Sequence, residues 1–295
     1  MGRIAFVTDS IAALPADQVK KYNITVVPLQ VIFGTEVFRD GLDLTEGQFF
    51  ERLKVAKKLP TTSQPTTGEF EETYKKLLDD PEVDSIISVH LSSKLSGTVD
   101  AAAAAAERVK GDSPKEVTVI DSFSGYMGEG LMAIGGARTA EQGKSHSEVV
   151  QFIKSMVPKM QVLLLVDTLE YLQRGGRIGG AQAFIGGLLN IKPLLYLRDG
   201  RLEPLEKVRV RRKGMERLVE IGAEGAHGRP CQVAVGHAQV PEDAKMLSQI
   251  VHEKMNVAEE FNSPLGPVIS THTGPGVLGF VYYPLDDSEK NLILP

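Results

Sequence analysis

Short β-branched apolar runs alternate with amphipathic segments along the first half of the chain. Ile4–Thr8, Ser85–Val89 and Val117–Asp121 have the length and composition of buried strands. Between them, Leu14-Pro15 opens a helix through Tyr22, with proline at a first-turn position that tolerates it. Thr45–Leu53 reads as a helix capped by Thr45. Thr67–Leu78 carries Phe70, Tyr74, Leu77 and Leu78 at helical spacing, and an alanine-rich segment continues as helix through Val109. Ile24–Phe33 is a strand region interrupted by Pro28, which predicts an edge or an irregularity. Leu131–Gln142, rich in small residues, and Ser145–Met156 complete the helices. This order predicts βαβ units and a mainly parallel sheet with helices on both faces.

Beyond Pro158 the pattern changes. Gln161–Val166 predicts a strand, Asp167–Arg174 a short helix, and Ala181–Leu189 an apolar helix after the glycine-rich run Gly175–Gly180. Lys192–Arg198 and Arg201–Val208 flank Asp199-Gly200, a hairpin signature. Arg211–Ala226 and Glu242–Met255 read as helices, and Gln232–Gly236, Val268–Ser270 and Gly279–Tyr283 as strands. The expectation is an α/β protein of two domains, 1–158 and 159–295, the second with a mixed or antiparallel sheet.

Charge narrows the function classes. Lys and Arg number 33 against 38 Asp and Glu, a net charge of −5, which argues against a broad nucleic-acid surface. The single cysteine, Cys231, has no internal disulfide partner, and no Cys/His cluster suits a metal. The first residues enter a strand without an apolar leader, and no apolar run reaches the roughly 18 residues of a membrane span. A cytoplasmic protein without a membrane span is expected.

Candidate chemistry lies in four loops rich in Ser, Thr, Gly and His: Thr61–Pro65, Ser92–Thr98, Asp121–Ser124 and His272–Gly276. The second sits between a strand and a helix, where free N–H groups and the helix dipole favour an anion. Its Ser-Gly-Thr step contains no Arg or Lys, so hydroxyls and backbone would form the receptor, which suits a carboxylate better than a polyphosphate. From this stretch alone, Ser96 is more simply read as a helix cap. There is no Gly-x-Ser-x-Gly elbow, P-loop or dinucleotide fingerprint. His272 can be read as a hydrogen-bond donor to a bound carboxylate, or as a base for Ser96 in a Ser/His acyl hydrolase oriented by Asp9 or Asp121. His90 reads as structural, and His237 as a weaker site candidate. Arg177 and Arg209 lie beside glycine-rich or strand-end backbone and are candidates for holding phosphate or docking an acidic partner.

Nine segments then share one resemblance. They are Asp9-Ser10, Thr62-Ser63-Gln64-Pro65, Ser92–Thr98, Val119–Ser122, Leu169–Leu172, Gly175–Gly179, Leu189–Pro193, Lys207–Arg209 and His272–Gly276. In this order, from about residue 5 to residue 283, the chain resembles the DegV family. The resemblance implies a protein that binds one long-chain fatty acid, such as a C16–C18 acid, with no cofactor and no catalysis of its own. It further implies the lipid-binding (FakB-like) subunit of a bacterial fatty acid kinase, whose partner uses ATP to phosphorylate the carboxylate. Carried over, the carboxylate-binding residues fall on Thr62, Ser96 and His272, with Ser93 beside them, and the phosphate or kinase-docking arginines on Arg177 and Arg209. The lipid is expected between or within the domains. Phe184–Leu189, Leu194–Leu197 and the Ala101–Ala106 helix are candidate walls of the slot, or ordinary core. Ser124-Gly125-Tyr126 departs from the small-residue run expected there, which bears on the shape of the tunnel.

Overall fold

The computed structural model describes residues 3–111, 113–186 and 191–294. The strands in chain order are β1 (Arg3–Asp9), β2 (Thr25–Val27), β3 (Gln30–Phe33), β4 (Glu36–Arg39), β5 (Thr61–Ser63), β6 (Val83–His90) and β7 (Glu116–Asp121). They continue with β8 (Gln161–Leu165), β9 (Lys192–Arg198), β10 (Arg201–Val208), β11 (Cys231–His237), β12 (Val257–Asn262) and β13 (Leu278–Pro284). They form a parallel sheet ordered β2-β1-β6-β7, a small antiparallel sheet β4-β3-β5, and a mixed sheet β10-β9-β8-β13-β11-β12. In the last, all neighbours are antiparallel except β11 and β12.

The parallel sheet is covered on both faces because alternate side chains point opposite ways. Ala5, Val7 and Ile86 pack with Phe70, Tyr74, Ala101, Ala102 and Ala105 from the helices Thr67–Leu78 and Thr98–Val109. Phe6, Ile87 and Val89 point into a central core with the helices Met127–Glu141 and His146–Met156. The mixed sheet repeats the arrangement. Leu163, Leu165, Val233 and Phe280 meet the helices Arg211–Ala226 and Pro241–Lys254 on its outer face. Val162, Leu164, Ala234 and Val281 point inward and join the same central core. Helix Met127–Glu141 is buried on every side from Met127 to Thr139, being packed among elements of both sheets. Its small residues make that possible: a Cβ on Gly136 would lie 2.5 Å from Ile153 and 2.9 Å from Phe6.

Several predicted elements change. The region 24–33 splits at Pro28-Leu29, so that β2 is an edge of the parallel sheet and β3 is the centre of the small one. Val268–Ser270 is not a strand; it lies in the helix Gly266–Thr273, with Pro267 in its first turn. A three-residue apolar run has no readable period, and the proline was the better signal. β11 lies between β13 and β12, and the Glu-rich edge sequence of β12 hides that strand. Gly179–Phe184 is a 3₁₀ segment and not the start of an α-helix. Positions 187–189 of the segment predicted over Ala181–Leu189, with part of the Leu189–Pro193 motif, lie outside the described residues. No helix among the described residues is long and apolar enough to cross a membrane.

Candidate functional site

A cavity of about 240 Å³ lies where the three sheets approach one another. Its walls are apolar: Ile11 and Leu29, Leu91 and Leu95, Tyr126, Val162 and Leu164 of β8, Leu172, Leu197 and Leu202 of the β9–β10 hairpin, and Val268 and Ile269. Thr62, Ser63, Gln64, Ser96, Arg177, His272 and Thr273 supply polar groups. Thr62, Arg177 and His272 also line a second, smaller recess with Thr61, Tyr171 and Arg174. These three residues therefore line both spaces, the second of mixed character with Leu59 and Pro60 beside Thr61 and Arg174.

The small sheet places Thr62 opposite Val31, and the helix Gly266–Thr273 places His272 on its last turn. Thr62 Oγ1 and His272 Nε2 are 2.8 Å apart. His272 Nδ1 is buried without a hydrogen-bond partner, facing Gly175, where a Cβ would lie only 2.3 Å away. Burial, and secondarily the positive Arg177, push the imidazole pKa down to about 4, so the ring is neutral near pH 7. A neutral ring that donates Nε2–H to Thr62 leaves the threonine hydroxyl proton free for a ligand oxygen.

Ser96 is not a helix cap. The N-cap of Thr98–Val109 is Gly97, with no side-chain cap, and Ser96 Oγ lies 2.9 Å from Thr98 Oγ1. Gly97 lets the Gln64 side chain lie against the turn, where a Cβ would meet its Nε2 at 2.6 Å. That contact brings the Thr61–Pro65 segment to the Ser96 turn. Arg177 donates from Nε to the Leu95 carbonyl (3.0 Å) and from Nη1 to the Gly175 carbonyl (2.7 Å), which fixes its guanidinium on the cavity.

Two expectations need correction. An arginine does stand at the polar end, although the Ser-Gly-Thr step contains none, so a bound carboxylate would meet a full positive charge. Ser93 is not among the cavity-lining residues; its backbone N–H faces the Asp121 carboxylate at 3.3 Å from each oxygen. Arg209 lies apart from Arg177, exposed in another recess with Asp167, Glu170, Gln173 and Lys192. Of the predicted walls, Leu197 lines the cavity, Phe184 belongs to the Arg209 recess, and Ala101–Ala106 packs on the far face of the parallel sheet. His237 lines none of these cavities.

A Ser/His/Asp relay is not assembled. Ser96 Oγ pairs with Thr98 and His272 Nε2 with Thr62. Asp121 accepts the Phe123 N–H (2.8 Å). Asp9 is buried against His90, with Oδ2 to Nδ1 at 3.0 Å, and accepts the N–H groups of Ile11 and Leu91. His90 Nε2 in turn meets Ser88 Oγ at 2.7 Å, in keeping with a structural role. Asp9, His90 and Glu129 form the one cluster among the described residues with metal-ligand proximity. Burial, and next the Asp9 charge, hold the Glu129 carboxyl well above the usual range, and Thr8 Oγ1 donates to its Oε1 at 2.7 Å.

A family model described as "Uncharacterised protein, DegV family" matches residues 3–285. The chain belongs to the DegV family. A DegV domain-containing protein of Streptomyces coelicolor is 41% identical over 279 residues, covering 94% of this chain and 97% of that one. The DegV fold here is similar to that of a Thermus thermophilus DegV family protein described for its fatty acid binding. The TM-score is 0.90 at 37% identity, covering 96% of this chain and 100% of that one. It is likewise similar to Bacillus subtilis DegV, described as a fatty acid binding protein, with TM-score 0.86, 37% identity and coverage of 97% and 100%.

One prediction concerns pH. The folded His272 resists protonation that the unfolded chain accepts, so it contributes stability above about 6.5 that is lost as pH falls towards about 4. Asp40, whose buried carboxyl is pushed up to about 6, acts in the opposite sense, losing stability as pH rises through that value. His272→Gln leaves Asp40 in place, so the difference between the two proteins isolates the histidine. Subtracting the His272→Gln denaturant midpoint from that of wild type should give a difference that rises as pH increases from about 4 to about 6.5, because the substitution removes the histidine contribution and leaves that of Asp40. An unchanged difference between variant and wild type at every pH would place the titration elsewhere.

Proposed function

We propose that this DegV protein binds one long-chain fatty acid, with the acyl chain in the 240 Å³ cavity and the carboxylate at the Thr62, Ser96, His272 and Arg177 end. The observation that carries this reading is the cavity itself: apolar walls with hydroxyls, a neutral imidazole and one guanidinium gathered together, in the fold of relatives described as fatty acid binding. Burial of about 0.8 kcal/mol per CH₂ makes a C16–C18 chain the main source of affinity. The polar groups then orient the head.

The reading extends to a non-catalytic subunit of an ATP-dependent fatty acid kinase. Support comes from Thr62, Arg177 and His272, which line both the cavity and the neighbouring recess and would leave one side of a bound carboxylate facing that recess and a partner's phosphoryl donor. Arg209, exposed and separate, suits contact with that partner. The same reading assigns residues 1–158 and 159–295 to two domains that share the lipid site. No observation favours the hydrolase alternative.

Mass spectrometry of the purified protein, native and then after organic extraction, tests the binding. About one fatty acid per chain is expected. A protein that is empty and also refuses added C16 and C18 acids would overturn the proposal.

A further inference from the structure

Tyr126 combines features that ordinary core packing does not require. Its backbone sits at φ 54°, ψ −148°, a region that glycine visits without cost and bulky side chains avoid. The strained residue is nevertheless a tyrosine, 5% exposed, and its ring forms part of the cavity wall. The hydroxyl reaches across the molecule to donate to the Ser263 carbonyl at 2.7 Å. Room for the ring comes from a gap in β11, since a Cβ on Gly236 would lie 2.4 Å from Tyr126 Oη and 2.5 Å from Cζ. A Cβ on Gly279 would lie 3.8 Å from Tyr126 Cδ1, and neither glycine belongs to the polar end of the cavity.

We infer that Tyr126 sets the acyl-chain length this protein accepts, because its ring fills the space into which the cavity would otherwise extend towards Gly236. The inference rests on the fatty-acid-binding reading above and adds a specificity-determining residue to it. The tether to Ser263 makes the wall rigid. Strain at the backbone is tolerated because the ring is held from both ends, by the helix start at Met127 and by the Ser263 carbonyl. Removing the ring would relieve that strain and open the cavity in one step.

The test is a binding ladder of saturated acids from about C12 to about C20, run on wild type, Tyr126→Gly, Tyr126→Leu and Tyr126→Phe. Wild type should tighten about fourfold per added methylene up to a cut-off, then weaken. Tyr126→Gly, which suits the backbone angles, should move the cut-off to longer acids by about two carbons or more, with further tightening beyond the wild-type limit. Tyr126→Leu should move it in the same direction by less, and serves if the glycine variant fails to fold. Tyr126→Phe keeps the ring and should leave the cut-off in place. A cut-off shared by wild type and both small variants overturns the inference while leaving fatty acid binding intact. A wild type that binds no member of the ladder overturns the underlying function instead, and the inference with it.

Discussion

The double variant Thr62→Ala/Ser96→Ala is expected to purify folded but largely empty of fatty acid. Both hydroxyls sit on the cavity surface and neither caps a helix or bridges the sheets, so their loss leaves the core untouched. A hydrogen bond to a charged group is worth about 1.5–3 kcal/mol, so losing two weakens binding by roughly 3 kcal/mol or more, about a hundredfold or greater in Kd. His272 then faces an alanine, and the Arg177 guanidinium remains as a full positive charge on the cavity. Isothermal titration with a C16 acid, alongside circular dichroism, separates lost binding from lost folding. A folded double variant that retains wild-type affinity would show that Arg177 and the acyl chain suffice, and the hydroxyl site would be withdrawn.

The largest stability effect is expected at Asp9→Ala. Asp9 and His90 are both fully buried, and the Asp9 carboxylate also accepts the backbone N–H of Ile11 (2.9 Å) and of Leu91 (3.2 Å). Its removal strands three donors in the core at once. Each buried donor left without its acceptor costs about 1–3 kcal/mol, so a loss of several kcal/mol is expected. The same cut reaches the cavity, since Ile11 and Leu91 are two of its walls and Asp9 fixes the backbone of both. Urea unfolding should show the loss, and acyl-chain retention should fall even under conditions where the variant is folded. A loss below about 1 kcal/mol would mean that water replaces the carboxylate, as it does at exposed pairs.

Much of the secondary structure was legible in the sequence. The buried strands β1, β6 and β7 are short runs bounded by turn residues, and the helix Thr67–Leu78 shows its face in Phe70, Tyr74 and Leu78. The failures were local ambiguities. Val268–Ser270 is too short to show a period, and β12 carries Glu259 and Glu260 in a strand that reads as surface. At the site, clusters of hydroxyls pointed to Thr62 and Ser96, and a histidine followed by glycines pointed to His272. Arg177 was legible as a basic residue beside glycine-rich backbone, but its place on the cavity was not, and Tyr126 gave no signal of lining the cavity beyond its place in an otherwise small-residue run.

What the sequence determined by itself was therefore the inventory: which runs are strands, which helix faces are buried, and which loops concentrate hydroxyls. These are encoded within a window of a few residues, through propensity and period. Only the tertiary structure decided which polar groups meet. Thr62 and His272 are 210 positions apart, and Arg177 reaches a carbonyl 82 positions away. Both contacts exist because the inner faces of two sheets close on one core and leave a cavity walled by single residues from many segments. Such a wall has no period and no motif, since each residue is placed by the packing of an element whose own pattern concerns a different face.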